Sequence, residues 1–343
     1  MNKINFPCNL TDLKNLKYHL KINWFNNHIL LKNKKILNWY YKDDKNYNFV
    51  YSKKNKIVTS CLGILFNKNF KKKTKNSIFN IENQIVWLTL WSTDKKINTN
   101  SALDLLFFIM HKAKESIIAT VGCNKNSFNI FKSLGFRCGF LKHYYFKNPQ
   151  KIKFNLIKVK NYNNKIYKNN KKNKKKLFLL NFKKTYHKIK NLDILEKKFK
   201  KDYYYFNSKY FNNPFYTYNF LFYKDINVEG FFVVRVSKYN SFKSLRIVEF
   251  FGNYEKLRNL TYDLKEISKK KNYEYIDFYN FGIPSKILIK LGFVMNKYKK
   301  DTVIPNYYEP FVLKNVKLGF SFFPPNRKIY LFKGDCDQER PNK

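Results

Sequence analysis

Hydrophobic and polar positions change their spacing several times along the chain, and each change predicts a new element. Apolar runs rich in β-branched and aromatic residues predict strands at 49–51, 57–66 and 85–91, the first two joined as a hairpin by a lysine-rich turn. From Ser101 onward, apolar residues recur at helical spacing, which predicts an amphipathic helix. The first half of the chain therefore mixes strands and helices.

The stretch Ser116 to Phe136 forms a compact predicted unit. The run 117–121 suits a buried strand, Asn124 can cap the helix that follows, and Gly135 can end that helix. Strand, polar turn, short helix and a Leu-Gly-Phe ending thus follow one another within a short segment.

The same unit recurs in the second half. A strand at 275–279 precedes a short helix from Ser285, and a second Leu-Gly-Phe ending contains Gly292. A hairpin, a long strand and a helix precede both copies in the same order. Such self-similarity predicts two copies of one domain. We expect Gly135 and Gly292 to end equivalent helices.

A change in composition separates the two copies. Residues 161–176 are mostly lysine and asparagine and contain almost no core-forming residue, as is typical of a solvated loop. We therefore predict an N-terminal domain over 1–150, a loop or linker over 151–180, a C-terminal domain over 181–330 and an acidic tail over 331–343.

The composition is that of a globular protein. Of the 343 residues, 44% are hydrophobic and 19% are aromatic, which is enough for two cores. No apolar run reaches the length of a membrane span and no apolar leader is evident, so we expect a cytoplasmic protein without a transmembrane segment. The five cysteines and five histidines are scattered, so we expect reduced thiols and no metal site.

The net charge of +46 has two possible explanations. Lysine accompanies asparagine, isoleucine, phenylalanine and tyrosine, the residues that AT-rich DNA encodes, while arginine is scarce. Alternatively, the lysine-rich loops at Lys71–Lys75 and Lys165–Lys176 contact a polyanion, either an anionic membrane surface or tRNA. Both explanations stay open at this point.

The order of elements resembles that of the GNAT family of acyl-coenzyme A transferases. The last unit of that family reads N-x-x-A-x-x-x-Y-x-x-x-G-F. The positions of this chain that match it are Asn124, Ser127, Phe131, Gly135 and Phe136. The resemblance implies an α/β (α+β) protein made of two tandem GNAT-like domains, each a mixed, mostly antiparallel sheet flanked by helices.

The resemblance also implies an acyl-coenzyme A co-substrate, such as acetyl-coenzyme A, bound by the N-terminal half. The family's glycine-rich pyrophosphate turn falls on 92–102, where this chain has no glycine but has lysine and asparagine. Asparagine tolerates positive φ, and lysine supplies charge. The implied coenzyme-binding residues are Lys95, Lys96, Asn98, Asn100, Ser101 and Asn124.

The family's usual acid is replaced here by Phe131, which cannot donate a proton. The nearest substitutes in sequence are His143, Tyr144 and Tyr145, although packing alone would also account for these rings. A backbone N–H of the strand 85–91 would stabilise the oxyanion where that strand separates from its neighbour.

The C-terminal sequence GDCDQERPN resembles the G-D-x-D-Q-D-R-P-N ending of tandem GNAT-like proteins encoded among surface-polysaccharide genes. It implies transfer to an amino sugar carried on a nucleotide or a lipid. Asp335 and Asp337 are candidate catalytic residues, and Gln338 and Arg340 are candidate substrate-binding residues. We expect an extended tail with its carboxylates on one face, docked onto the basic body of the protein.

Other functions remain open. Fem-type aminoacyl transferases, which use charged tRNA, also have tandem GNAT-like domains. A non-catalytic polyanion-binding or nucleic-acid-binding protein, or a sugar-binding scaffold that has lost coenzyme binding, would fit the same architecture. The function that the sequence favours is N-acyl transfer from acyl-coenzyme A to an amino sugar for cell-surface polysaccharide.

Overall fold

The computed structural model describes residues 3–67, 84–94, 96–97, 100–159 and 176–341. The chain forms two compact units, each assembled from separate stretches. The first unit consists of Met1–Cys138, Phe320–Arg327 and Cys336–Lys343, and the second of Gly139–Gly319 and Lys328–Asp335. Within the described ranges, no helix has the length and hydropathy that crossing a bilayer requires.

Up to residue 140 the chain forms helices, strands of one large sheet and a separate two-stranded pair, β2 with β3. The helices are α1 (Leu10–Asn23), α2 (Ile29–Lys32), α3 (Lys34–Tyr41), α4 (Ser101–Lys112) and α5 (Lys125–Ser133). The strands are β1 (Lys3–Asn5), β2 (Lys42–Asp43), β3 (Asn46–Tyr47), β4 (Phe49–Lys54), β5 (Ile57–Phe66), β6 (Ile85–Thr93), β7 (Ile117–Val121) and β8 (Arg137–Phe140).

The remainder of the chain supplies a second set. The helices are α6 (Phe182–Thr185), α7 (Leu192–Phe199), α8 (Tyr203–Phe206), α9 (Thr261–Lys270) and α10 (Ser285–Lys290). The strands are β9 (Lys142–Lys147), β10 (Leu177–Leu179), β11 (Asn219–Lys224), β12 (Val228–Tyr239), β13 (Phe242–Gly252), β14 (Tyr275–Phe281), β15 (Val294–Met295), β16 (Tyr307–Tyr308), β17 (Phe311–Val312), β18 (Gly319–Phe323) and β19 (Leu331–Phe332). Short 3₁₀ helices lie at Tyr186–Lys188 and Tyr254–Asn259, and a short π-helical segment lies at Asn207–Phe211.

The sheet of the first unit has the order β1-β4-β5-β6-β7-β18-β8. The predicted hairpin is confirmed, since β4 and β5 pair across a turn in which Asn55 and Lys56 both have positive φ. Most neighbouring strands are antiparallel, whereas β6 and β7 are parallel. Buried side chains of α4, including Leu105, Leu106 and Ile109, pack on the sheet with Leu62 and Val86 to form the core.

The sheet of the second unit has the order β10-β11-β12-β13-β14-β9-β15, and β19 pairs with the end of β14. Here the parallel pair is β13 with β14. Its core is unusually aromatic, with Phe206, Phe231 and Phe251 buried together. The mixed, mostly antiparallel sheets flanked by helices confirm the predicted fold class.

The duplicated Leu-Gly-Phe endings are confirmed as equivalent helix ends. Gly135 follows α5 with φ +79° and Gly292 follows α10 with φ +91°. After α5, the N–H of Gly135 bonds to the carbonyl of Lys132, and the N–H of Phe136 bonds to that of Phe131. Gly292 and Phe293 repeat this pattern after α10. Both ends are Schellman motifs, which require a residue in the left-handed conformation.

The two units do not follow the boundaries predicted at residues 150 and 330. Strand β9, expected to end the N-terminal domain, pairs with β14 from Lys147 to Lys142 in the second unit. Strand β18 pairs with β7 in the first unit, with Phe320 opposite Val121. Each sheet thus receives one strand from the other half of the sequence.

Candidate functional site

A cleft opens in the first unit where its two parallel strands separate. Strands β6 and β7 pair only where Ile85–Trp87 faces Ile117–Ala119, and the next residues of both strands line the gap. The cleft has a volume of about 140 Å³. Its walls are formed by 88–91, 120–124, Trp24, Ser127, Phe131, Asp337, Gln338 and Arg340.

A β-bulge in β6 lies on one wall. In its pairing with β5, Thr89 lies opposite Gly63 and Ser92 lies opposite Cys61, so β6 carries one extra residue in between. Leu90, inside the bulge, has a φ of +38°. A bulge of this kind turns a peptide group out of the ladder. This is the location at which the sequence predicted a backbone oxyanion donor.

The opposite wall is the turn from β7 into α5. Gly122 has φ +87°, and a Cβ there would lie 2.2 Å from the amide nitrogen of Gln338. Asn124 caps α5 by accepting a hydrogen bond from the backbone N–H of Ser127 at 2.9 Å. The predicted cap is therefore present, and Asn124 also lines the cleft.

Phe131, at the position of the family's acid, is buried in the cleft wall. Its ring packs on Trp91 with centroids 5.3 Å apart and on Phe136 at 5.0 Å. This surface is apolar, and the Phe131 ring has no proton to donate.

The tail forms another wall of the cleft, and this wall is polar. Asp337 pairs with the guanidinium of Arg340 and accepts hydrogen bonds from the Tyr41 hydroxyl at 3.4 Å and from the Gln338 amide at 3.3 Å. Arg340 also donates to His28 Nε2 at 3.0 Å. Asp337, Gln338 and Arg340, all predicted site residues, are thus brought together in one cleft.

Two further side chains hold this arrangement. Burial raises the pKa of Tyr41 well above its usual value, and the Asp337 carboxylate adds to this effect. The Tyr41 hydroxyl therefore stays protonated and can donate to Asp337, while the Thr89 hydroxyl, 3.0 Å away, can donate to the Tyr41 oxygen. Burial, followed by the Arg340 cation, lowers the pKa of His28 to about 4, which leaves a neutral imidazole to accept from Arg340.

The sequence analysis missed Trp24, His28, Tyr41 and Thr89. Trp24, His28 and Tyr41 lie in an aromatic and polar segment before β4, and Thr89 lies within the long strand β6; neither context indicated a site. Their role depends on contact with a tail about 300 positions away, as in the Tyr41–Asp337 pair.

The tail is not extended, contrary to the prediction. Residues 333–340 form successive turns, and Cys336 has a φ of +57°. The three carboxylates therefore do not share one face. Asp335 belongs to the second unit, where it pairs with Lys201 at 2.6 Å, so the structure does not bring it into the cleft with Asp337.

The predicted pyrophosphate loop is described only in part. Lys95 and Asn98 lie outside the described residues. The backbone N–H of Lys96 donates to the Asp94 carboxylate at 2.9 Å in an exposed turn. Asn100 precedes α4, and Ser101 is buried with its carbonyl accepting from Ser60 at 3.1 Å. None of these three lines the cleft as it stands.

His143, Tyr144 and Tyr145, predicted as acid substitutes for the N-terminal half, lie on β9 in the second unit. His143 bonds to Asp277 at 3.1 Å, and the Tyr144 hydroxyl donates to Ser285 at 2.8 Å. Tyr145 is buried in a small cluster with Tyr275. The structure therefore gives them packing roles and does not place them with the cleft residues.

The second unit repeats the separation of its parallel strands but closes the gap. Strands β13 and β14 pair at Leu245–Ile247 and Ile276–Phe278, then diverge. Strand β19 pairs with the free end of β14, and the N–H of Gly334 bonds to the carbonyl of Val248 at 2.7 Å. The chain itself fills the place that is open in the first unit.

A buried ionic cluster secures this closure. Lys201 pairs with both Glu249 and Asp335, and all three side chains are fully buried. Tyr205 donates to Glu249 at 3.0 Å, and Tyr210 donates to the same carboxylate. Burial raises the pKa of Glu249 despite the Lys201 cation, and the neighbouring Asp335 carboxylate also raises it.

The paired part of β13 and β14, next to the closed gap of the second unit, is ionic as well. Arg246 on β13 bonds to Asp277 on β14, with its Nη2 at 2.8 Å from the carboxylate. Burial by itself would raise the pKa of Asp277, but Arg246 and His143 outweigh it and lower that pKa to about 2. The corresponding pair in the first unit is apolar, Val86 opposite Ile118.

Comparison with solved structures supports the fold. The chain is similar to a conserved protein of unknown function from Enterococcus faecalis described as a probable N-acyltransferase, with 9% identity, a TM-score of 0.53, and coverage of 86% of this chain and 70% of that one. It is also similar to a GCN5-related N-acetyltransferase from Anabaena variabilis, with 9% identity, a TM-score of 0.52, and coverage of 94% and 72%. These likenesses show a GNAT-like fold over most of the chain.

Neither a protein-family profile nor a curated protein matches the sequence.

Proposed function

We propose that the protein is an N-acyltransferase whose first unit binds acyl-coenzyme A in the cleft between β6 and β7. The observation that carries this proposal is the cleft itself, where two parallel strands pair at one end and separate at the other, with the Leu90 bulge on one wall. A thioester lying in such a gap meets backbone N–H groups on both sides. Little else is needed, because positioning and a preorganised oxyanion donor supply much of the rate in acyl transfer.

The reaction joins an amine nitrogen to the thioester carbonyl carbon, and the carbon–sulfur bond breaks as coenzyme A leaves. The attacking nitrogen must lose a proton, and the leaving thiolate must gain one. We assign Asp337 as the group that takes the proton and can pass it to the thiolate. Tyr41, which donates to it at 3.4 Å, is a positioning residue.

The acceptor in our proposal is the amino group of a sugar destined for cell-surface polysaccharide. The support comes from the tail, whose sequence resembles that of tandem GNAT-like proteins encoded with such genes and whose Asp337, Gln338 and Arg340 line the cleft. Arg340 can hold a phosphate of a carrier, and Gln338 can bond to sugar hydroxyls.

The coenzyme-binding step can be tested by blocking the cleft. Ser127→Trp places an indole at the cleft wall, and Ser133→Trp places one on the exposed far end of the same helix. We expect calorimetry to detect acetyl-coenzyme A binding to the wild type and to Ser133→Trp, but not to Ser127→Trp. Equal binding by both variants would place the coenzyme elsewhere, and no binding by the wild type would contradict the proposal.

The transfer step is tested by Asp337→Asn, which keeps the shape of the side chain. We expect acylation of amino-sugar acceptors to fall by roughly 10²-fold or more, the range of general base catalysis, with coenzyme affinity retained. Glu339→Gln, a buried tail carboxyl that does not line the cleft, is the matched control. Full activity of Asp337→Asn would remove Asp337 from the mechanism.

Fem-type transfer from charged tRNA is the rival outcome. The loop Lys71–Lys75 and residues 165–175 lie outside the described residues, and Lys176 pairs with Asp225 at 3.0 Å. Binding of tRNA that survives roughly 200 mM salt, without binding of acetyl-coenzyme A, would favour that rival.

A further inference from the structure

Helix α1 in the first unit carries large apolar side chains on both of its sides. Leu13, Leu16 and Leu20 are buried against the unit. On the opposite side, Tyr18 is 67% exposed and Ile22 is 60% exposed. A helix on the surface of a globular protein normally presents polar residues outward, so the outer side of α1 needs a separate explanation.

The outer apolar side chains form one stripe. Tyr18 and Ile22 are four residues apart, so they lie one turn above each other on the helix. Leu10, at the first position of the helix, is 62% exposed and lies about 80° from Tyr18 around the helix axis, and Phe25, just beyond the helix, is 59% exposed. We call Tyr18, Ile22 and Phe25 the outer stripe.

The charges exposed on α1 itself have a single sign. Lys14, Lys17 and Lys21 lie on the same helix. The acidic residue of α1, Asp12, is buried, where it accepts hydrogen bonds from Lys53 at 2.9 Å and from Tyr51. Its charge is therefore compensated within the unit, and the exposed charges along α1 are cationic.

This combination fits the interface of an anionic lipid bilayer. Apolar and aromatic side chains enter the boundary between headgroups and acyl chains, while lysines at their flanks meet lipid phosphates. Tyr18 and Phe25 can stack on nucleic-acid bases, but α1 carries no arginine, and Ile22 offers a base neither stacking nor a hydrogen bond. With 14 residues, α1 is about 21 Å long, enough to lie in the membrane plane.

We propose that the outer stripe of α1 and its three lysines dock the first unit onto anionic membrane surfaces. Residues at the end of the stripe lead directly to the site, because Trp24 lies next to Phe25 in sequence and lines the cleft. Docking would therefore hold the cleft near acceptors at the membrane. Only this last consequence depends on the proposed function.

Vesicle sedimentation tests the docking without any acyl transfer. The full-length protein is mixed with vesicles of phosphatidylcholine alone or with roughly one-third phosphatidylglycerol. We expect binding to the anionic vesicles, and a loss of roughly tenfold or more in affinity for the triple variant Tyr18→Ser, Ile22→Ser, Phe25→Ser. This variant keeps the net charge, so general attraction of a basic protein to anions would leave its binding unchanged.

A matched control replaces three exposed apolar residues of the second unit, Leu179→Ser, Ile194→Ser and Ile226→Ser, and should bind as the wild type does.

Replacing Lys14, Lys17 and Lys21 by glutamine should weaken binding to anionic vesicles most strongly at low salt. Equal binding by the apolar triple variant and the wild type would overturn the proposal. So would a wild type that ignores vesicles but binds an acidic protein or RNA through the outer stripe.

Discussion

The two clefts start from the same geometry and end differently. In both units a parallel strand pair separates, and a glycine with positive φ follows the second strand, at Gly122 and at Gly282. A Cβ on Gly122 would meet only the end of the flexible Gln338 side chain, whereas one on Gly282 would meet the Tyr330 ring and the Ile329 backbone carbonyl. The first gap is thus bordered by a movable side chain, and the second is filled by main chain.

This difference leaves one gap accessible and the other filled. Backbone hydrogen bonds of β19 and the buried Lys201 cluster occupy the second gap, and no coenzyme can enter there without unpairing them. The first gap keeps an accessible wall with polar side chains. Duplication followed by closure of one copy accounts for a tandem protein with one candidate coenzyme site.

The largest expected effect tests the closure itself. Lys201→Met keeps the length of the side chain but leaves Glu249 and Asp335 buried without their cation. We expect a loss of about 3–5 kcal/mol in the free energy of unfolding, the usual result of breaking a buried ion pair. Urea unfolding measures it, and Lys197→Met, on the exposed side of α7, should change stability by less than about 0.5 kcal/mol. Similar values for the two variants would mean that the cluster does not hold the second cleft shut.

The paired glycines provide the next test. Gly282→Ala combines the strain of a left-handed alanine with a Cβ that lies 2.7 Å from the Tyr330 ring and 3.0 Å from the Ile329 carbonyl, so we expect a loss of about 2–4 kcal/mol. Gly122→Ala should cost about 1–2 kcal/mol, because Gln338 can rotate away. Thermal or urea unfolding of both variants measures the difference. A larger cost at Gly122 would reverse the contrast between the clefts.

The pH dependence of stability sharpens the contrast further. The pKa of Glu249 is raised in the folded state, so its contribution to stability is complete below the ordinary value of 4.5 and is lost as pH rises through the folded-state pKa. We expect Glu249→Gln to remove this decline, so that the difference in unfolding free energy between wild type and variant changes as pH rises above 4.5. Unfolding in urea across the acid to neutral range measures the difference. A constant difference would mean that Glu249 titrates normally.

The smallest expected effect is on the open cleft. Gln338→Ala removes the side chain that lies against Gly122, with no backbone pairing to break. We expect acetyl-coenzyme A to bind with an affinity within about threefold of the wild type, a change below 1 kcal/mol, and thermal stability to stay nearly constant. Transfer to the sugar acceptor should fall more than binding does. A variant that loses coenzyme binding but keeps its transfer rate would assign Gln338 to the coenzyme instead.

The tail carboxylates Asp335 and Asp337 belong to different units, so the effect of a truncation depends on where it begins. A deletion of residues 334–343 would remove Asp335 and with it one partner of Lys201, so its effect on activity would be mixed with a loss of stability. A deletion of 336–343 leaves that pair in place and isolates the contribution of Asp337 and Arg340 to the first cleft.

The local pattern of apolar and polar residues was sufficient to predict the main helices and strands and the duplication. Period-2 and period-3.6 spacing placed the hairpin, the long strand and the helices, and Gly135 and Gly292 marked equivalent helix ends because only short-range backbone geometry decides such ends. Asn124 was recognisable as a cap for the same reason. Part of the site, Asp337, Gln338 and Arg340, was recognisable from the ending of the chain.

Tertiary structure alone decided where the exchanged strands and the tail belong. Strands β9 and β18 pair with strands from distant parts of the chain. An alternating pattern of apolar and polar residues fits either sheet equally well, so the sequence does not show which sheet each strand joins. For that reason His143, Tyr144 and Tyr145 lie in the second unit. The buried pairing of Lys201 with Glu249 and Asp335 was equally hidden, since a lone lysine in a chain of net charge +46 has no local mark of burial. Sequence thus determined the repeated fold, and long-range pairing of strands and charges determined which copy stays open.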